Sequence, residues 1–340
     1  MSDKVRVWGW AADNAGCQTY RIRWVADALN RLYGDQIDYQ FGTLASEERR
    51  DWSEVVIGQR VVLPGPSYFW QKWAAEGEKR LIMEFDDDLF SVDPENVRAS
   101  SVFNKTDVQF RLRENIRVSH LVTVSTEPLK EAIHRETGYP LDQIIVIPNA
   151  VDPSVLENPL DRDDMDGAPL LGWLASPTHG KDARLVSRHL KRYMENNPDA
   201  RFHTIGANYG EEMGLDPEQI IHSGWVSPSE RAIRKIDYRV GIAPLVGSTF
   251  NKSKSDCKFL EMGARKVAPL VSDVPSYESV VHGVTGYKVK REHEWSRALR
   301  DLCGDGDLQK KLAENAYAYV RDHRTTNNTA PLWRDAILGM

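Results

Sequence analysis

The 340-residue chain has no apolar run long enough to cross a bilayer as a helix, which takes about 20 residues, so a helical membrane span is excluded. Its first ten residues, MSDKVRVWGW, lack the apolar stretch of a secretory leader and pass directly into a strand-like pattern. Only three cysteines are present, Cys17, Cys257 and Cys303, far apart and without metal-ligand spacing. Neither a disulfide framework nor a zinc motif follows, and a reducing cytoplasm is the expected compartment. There is no excess of positive charge. The net charge of −6 argues against a dedicated nucleic-acid coat or membrane-surface binder, although it leaves room for a local basic cleft. No repeat with a period of 20–50 residues and no low-complexity tract occurs.

What is present is an ordinary globular balance, 41% hydrophobic and 28% charged, with material for two cores. VRVWGW (5–10), IDYQFG (37–42), VVIGQRVVLP (55–64), RLIMEFD (80–86), LVTVS (121–125) and IIVIPNA (144–150) are short apolar runs of the kind buried parallel strands require. Amphipathic stretches lie between them. Ile22, Val25, Ala26 and Leu29 share one helical face that stops near Gly34, and Ser125 or Thr126 can cap a helix that ends at Gly138. Residues 149–169, rich in proline and acidic residues, read as an interdomain linker. The alternation then restarts with PLLGWLA, RFHTIG, IIHSGW, YRVGIAPL, VAPLVSD and GYKVK. Leu308, Leu312, Ala316 and Val320 continue a helical spacing, and Pro331 is expected to interrupt it before LWRDAIL. Strand–helix alternation repeated twice predicts an α/β chain of two doubly wound, Rossmann-like domains, residues 1–150 and 151–321, facing a cleft.

The segment STFNKSKSDCKFLEMGARKVAPLVSD (248–273) carries the strongest chemical signal. On a helix beginning near Ser253, Lys254, Lys258 and Glu261 would share one face. Two ammonium groups near a helix N-terminus suit a diphosphate, and a carboxylate one turn later suits two ribose hydroxyls. The alternative is an exposed helix with an i,i+3 Lys–Glu pair. This segment resembles the donor-binding stretch of family-4-type, retaining GT-B glycosyltransferases. Those enzymes place two glutamates eight positions apart, the second on the ribose. Glu261 falls on the second, and Ser253 stands where the first would be. The loop from Asn251 to Lys258 is similar to that of a subgroup with lysines there. IPNAVD (147–152), LGWLASPTHGKD (171–182), IIHSGWVSPSE (220–230) and DYRVGIAPL (237–245) resemble, in order, the neighbouring parts of these enzymes. The resemblance implies a nucleotide-sugar donor, UDP- or GDP-linked, held by Gly16, Ser176, Thr178, His179, Trp225, Val226, Asn251, Lys254, Lys258 and Glu261. It also implies a C-terminal segment, 322–340, that packs back on the N-terminal domain, and transfer with retention of configuration.

In the N-terminal domain, AADNAGCQTYRI (11–22) follows the first strand, and Gly16 allows close backbone approach. It is not a G-x-G-x-x-G fingerprint, which disfavours a dehydrogenase. Arg21 and Arg23 are read as helix charges, at least one of them an ordinary surface residue. EFDDDLF (84–90) contains a D-x-D, but two lysines and a helix end meet a diphosphate without a metal, so none is expected. Asn14, Arg21, Asp86, Asp88 and Ser125 are the candidate acceptor-side residues, and Lys254, Lys258 and Asp87 the candidate catalytic ones. Asp88 has the alternative of capping the next helix. Lys105, Arg111, Arg113 and Arg117 form a basic helical face, which is either solvated or turned toward an anionic acceptor.

The expected function is glycosyl transfer from the nucleotide sugar to an acceptor hydroxyl on a protein, a glycan or a modified DNA base. Small enzymes with an EFDDDL-like stretch are similar to phage-encoded glycosyltransferases. The competing readings are a non-catalytic nucleotide-sugar-binding module, which the serine at position 253 favours, and a sugar-nucleotide epimerase of the same architecture.

Overall fold

The computed structural model describes residues 4–44, 46–165, 170–227 and 229–339. The chain divides into two compact units, each of which is treated by itself below. The first comprises Met1–Asp152, Lys252–Ser255 and Thr326–Met340, and the second Pro153–Asn251 and Asp256–Thr325.

The first unit is built on a parallel sheet of six strands: β1 (Val5–Trp10), β2 (Ile37–Gly42), β3 (Val55–Gln59), β4 (Arg80–Phe85), β5 (Leu121–Val124) and β6 (Ile144–Val146). Their order is β2-β1-β3-β4-β5-β6, so the winding direction reverses between β1 and β3. Each strand coincides with one of the apolar runs, because a strand covered by helices on both faces needs no polar side. The β3 run ends earlier than the apolar pattern. The chain turns at Arg60, and a helix, Pro64–Glu76, begins with proline where no N–H is needed and stops at left-handed Gly77. The helical segment after β1 opens with a single α turn, Gly16–Gln18, and passes through a π turn, Thr19–Arg23, before the α-helix Trp24–Tyr33. Four consecutive residues here are buried, Thr19, Tyr20, Arg21 and Ile22, where a one-faced α-helix buries residues three and four apart. Thr126 caps the helix Glu127–Thr137 by accepting from the Leu129 amide, and Gly138 closes it at φ 69°.

Thr326–Leu338 is one helix with Pro331 inside it, which corrects the expected interruption. Pro331 lies in its second turn, and the tertiary packing outweighs the missing N–H. Trp333, Ala336 and Ile337 enter the same core as Ile22, Leu29, Ile57 and Ile82.

The second unit carries a second parallel sheet: β7 (Leu171–Ala175), β8 (Phe202–Gly206), β9 (Ile220–Ser223), β10 (Val240–Ala243), β11 (Ala268–Ser272) and β12 (Tyr287–Val289). The order β12-β11-β10-β7-β8-β9 places the reversal between β7 and β10. Gly172 on β7 is required by close packing, since a Cβ there would sit inside the Tyr238 ring. Helices Gly180–Glu195, Trp295–Cys303 and Gly306–His323 cover the sheet. The acid- and proline-rich segment expected as a linker is not loose through its described part. Arginines hold its carbonyls: Arg265 donates to Asn158 O (2.6 Å), Arg239 to Met165 O (2.7 Å) and Arg234 to Ser154 O (3.3 Å). Residues 166–169, which end that segment, lie outside the described residues, as does Pro228 within IIHSGWVSPSE.

Candidate functional site

Ligands of open α/β sheets bind beyond the carboxyl ends of strands, where the order reverses. In the first unit that place is the end of β1, β3 and β4. Arg60, immediately after β3, has φ 49°, a conformation disfavoured for a residue with a Cβ. Its amide donates to Glu84 O, and its guanidinium grips Asp13 of the loop after β1 at 2.6 Å. Its Nε lies 3.9 Å from Asp86 Oδ1, and both of these buried atoms lack a hydrogen-bond partner. Asp13 also accepts from the Ala15 amide at 2.8 Å, so the loop that carries exposed Asn14 and half-buried Gly16 is pinned at its base. Asp86 and Asp87 stand at this edge. Burial pushes the Asp87 carboxyl up, with Lys254 pulling the other way and Asp86 adding to the rise. Burial likewise raises the Cys17 thiol well above its ordinary value. Neither Arg60 nor Asp13 was singled out from sequence, because Arg60 lay within what read as a continuing strand.

Arg21, expected on the acceptor side or as a surface charge of a helix, is buried. Its side chain is 1% exposed; Nε donates to Glu84 Oε1 (2.6 Å), and Nη1 donates to Ile147 O and Asn149 Oδ1. Trp333 lies over the guanidinium at 5.0 Å. Gln59 completes the cluster by donating to Glu84 Oε2. Burial pushes Glu84 up to about 7 against the pull of Arg21. Arg23, half-buried, lies against Trp24. Asp88 does not cap the next helix, one of its two expected roles. It accepts from the Phe90 amide and the Ser91 hydroxyl, closing a turn, while the next helix starts at Val97 with Asn96 as its cap. Ser125 is buried and donates to Asp86 O, holding that backbone in place. The basic face is largely internally paired: Arg111 with Asp107, Arg113 with Glu136 and Arg117 with Glu114; Lys105 is exposed.

The helix expected to begin near Ser253 begins at Cys257 instead, so Lys254 does not share its face with Lys258 and Glu261. Residues 252–255 belong to the first unit. There the Thr126 hydroxyl donates to Ser253 O (2.8 Å) and the Asn149 amide to Ser255 Oγ (2.8 Å).

In the second unit the reversal lies between β7 and β10. Ser176 and Thr178, after β7, share a hydrogen bond of 2.7 Å between their hydroxyls. His179 precedes the helix Gly180–Glu195, a 16-residue element with its N-terminal dipole end at this edge. The loop after β10 contains Asn251, whose amide side chain donates to Val246 O (2.9 Å) and whose carbonyl accepts from Ser276. Lys258 and Glu261 form the i,i+3 pair at 2.7 Å, but the pair is not on an exposed face: Glu261 is buried and Lys258 largely covered. After β9, Trp225 is 46% exposed and packs beside Gly206, where φ is 98° and a Cβ would strike the Ala175 carbonyl oxygen and crowd the indole. Val226 beside it is half-buried. Among the described residues no group of three or more His, Cys, Asp or Glu side chains is arranged to hold a metal ion.

No protein-family model matches the chain, and no curated protein matches it in sequence. Solved structures do match. The sucrose-phosphate synthase of Thermosynechococcus elongatus superposes with a TM-score of 0.73 at 11% identity, over 99% of this chain and all of that one. HepE of Anabaena, solved with UDP, gives 0.68 at 11% identity over 99% of this chain and all of its own. A glycosyltransferase from Rickettsia africae gives 0.64 at 14% identity over 99% of both chains. The fold is that of the GT-B glycosyltransferases. At these identities the likeness concerns architecture, and the chemistry must be argued from the chain's own residues.

Proposed function

We propose that the chain is a nucleotide-sugar-dependent glycosyltransferase of the family-4-type, retaining kind, with a UDP- or GDP-sugar as donor. The observation that supports this most is the second unit's switch point. A histidine and two hydroxyls at a helix N-terminus after β7, an exposed indole after β9, and a buried carboxylate, Glu261, paired with Lys258 on the helix between β10 and β11 all belong to the second unit of a GT-B fold. Glu261 suits ribose hydroxyls, Trp225 and Val226 the base, and His179, Ser176, Thr178 and Lys258 the diphosphate. The hard event in such a reaction is departure of the nucleoside diphosphate, and cationic and dipolar groups near its oxygens lower that barrier. These groups supply positive potential without a metal, and we read the mechanism as metal-independent. The departing phosphate itself takes the acceptor's proton in this reading.

The carboxylates Asp86 and Asp87, with Lys254 beside Asp87, are assigned to the acceptor hydroxyl. A protein side chain, a glycan and a hydroxylated DNA base each supply such a hydroxyl, and a cytoplasmic enzyme of phage type is the setting we propose. The test is a thermal-shift screen of the purified protein with UDP-, GDP-, ADP- and TDP-sugars, with and without Mg²⁺, followed by donor hydrolysis. Lys258→Ala and Glu261→Ala are expected to cut turnover at least 100-fold, roughly the effect of removing one charge-stabilising group. Near-normal rates in both variants would overturn the donor-site assignment. Binding without any hydrolysis or transfer would instead support the non-catalytic module, the reading favoured by Ser253 at the position of the family's first glutamate.

A further inference from the structure

The second unit holds a serine, a histidine and an aspartate in one hydrogen-bonded row, apart from the groups assigned to the donor. His203 is the second residue of β8 and is buried, with both ring nitrogens engaged. Nδ1 lies 2.5 Å from Asp237 Oδ1, and Nε2 lies 3.0 Å from Ser223 Oγ. The sheet itself builds this row. His203 is in register with Ile221 of β9, so Ser223, two residues on, stands on the same face as its diagonal neighbour. Asp237 arrives from the segment before β10. The next residue, Tyr238, fills the space over Gly172, the β7 residue in register with His203, and its ring meets the imidazole edge-on. The Asp237 side chain is about half exposed while the imidazole is covered. An ionised carboxylate only accepts, so the imidazole hydrogen resides on Nδ1. Nε2 is then the acceptor, and the Ser223 hydroxyl donates to it.

Ser223 is half-buried at the end of an edge strand. Gly224 after it is exposed, and a Cβ built there would meet no atom within 4 Å, so the space beside its amide is open. The amide directly after a nucleophile is placed to receive an oxyanion. Exposed apolar side chains, Ile221 and Trp225, stand two residues to either side. We propose that Ser223 is a nucleophile, His203 its general base and Asp237 the carboxylate that fixes the tautomer, and that Ser223 takes the acyl group of a carboxylic ester with a short apolar chain. Oγ bonds to the ester carbonyl carbon while its proton passes to His203 Nε2, and the alcohol leaves with that proton. Water then attacks the acyl-serine and gives a proton to His203, and Oγ recovers it as the acid departs. This activity does not depend on the donor-site reading.

The experiment exposes wild type, Ser223→Ala, His203→Gln and Asp237→Asn to an alkyl fluorophosphonate and, separately, to p-nitrophenyl butyrate. The fluorophosphonate forms an Oγ–P bond with loss of fluoride, and peptide mapping by mass spectrometry locates it. Wild type is expected to gain one label, on Ser223, and to release p-nitrophenolate, and Ser223→Ala is expected to do neither. His203→Gln keeps a polar side chain in the row but has no base, and its labelling is expected to slow at least 100-fold, roughly the contribution of a general base. Asp237→Asn is expected to slow labelling as well. A wild type that takes no label on Ser223, a label that forms equally fast in His203→Gln, or ester cleavage undiminished in Ser223→Ala overturns the inference. A further arm does not depend on variant folding: wild type unfolded in urea is expected to take no label, because the row exists only in the folded sheet, and equal labelling of folded and unfolded protein would overturn the assignment.

Discussion

Arg60 and Glu84 concentrate the strain of the first unit in single residues. Arg60 accepts a left-handed backbone so that its amide reaches Glu84 O and its guanidinium reaches Asp13. Arg60→Gly and Arg60→Ala lose the same clamp but differ in backbone cost. Arg60→Gly is therefore expected to be the more stable by about 1 kcal/mol in urea denaturation, with amide exchange across residues 13–17 faster in both. If the alanine variant is the more stable, the backbone is not strained. Glu84 has a folded-state value of about 7, raised by burial from its ordinary range. A carboxyl raised on folding contributes stability that is complete below its unfolded value and is lost as pH rises through the folded one. Between pH 4.5 and 7, wild type is expected to lose on the order of 1–3 kcal/mol relative to Glu84→Gln. Parallel stability curves for the two proteins would contradict this.

At the scale of elements, each unit is closed by a segment distant in sequence. In the second unit, Asp256 precedes the helix Cys257–Ala264 and takes a two-pronged ion pair from Arg324, at 2.6 and 2.7 Å, with the Ser279 hydroxyl as a third partner. Both ion-paired side chains are largely buried. Asp256→Ala leaves a buried guanidinium without its counter-charge and is expected to cost about 3–5 kcal/mol by chemical denaturation. In the first unit the helix Thr326–Leu338 plays the closing part. Trp333→Ala removes a core indole and the cation–π cover of Arg21, with an expected cost of about 3–5 kcal/mol. A loss below 1 kcal/mol in either variant would mean that the element docks loosely.

For the whole molecule, the functional reading becomes a linkage statement. A donor that binds only the folded protein adds about 2.7 kcal/mol at 100 times its dissociation constant, and the melting temperature is expected to rise with the matching nucleotide alone. Equal shifts with every nucleotide would remove the base specificity assigned to Trp225 and Val226. The local placement of some residues of the proposed site was legible in the sequence. Glu261 with Lys258, His179 before a helix, and Trp225 after a strand are local patterns whose meaning depends on a few neighbours in sequence. Arg60 and Asp13 were not legible, since each takes its meaning from the other, 47 residues away along the chain.

The twelve strands among the described residues could be read from the amino-acid sequence, and with them the doubly wound class, because the inner strands of a parallel sheet bury both faces and so demand continuous apolar runs. The caps at Thr126 and Gly138 followed from local backbone chemistry in the same way. Tertiary structure alone decided the inward turn of Arg21, the continuation of the last helix through Pro331 and the membership of Lys254. Helical periodicity placed Lys254 on a face with Lys258 and Glu261. Hydrogen bonds from Thr126 and Asn149, 127 and 106 residues away in the chain, hold its neighbours in the first unit instead. Apolar pattern and local propensity act over a few residues. Long-range hydrogen bonds and buried ion pairs form only once the sheets have brought their partners together, and they then override the weaker local preference.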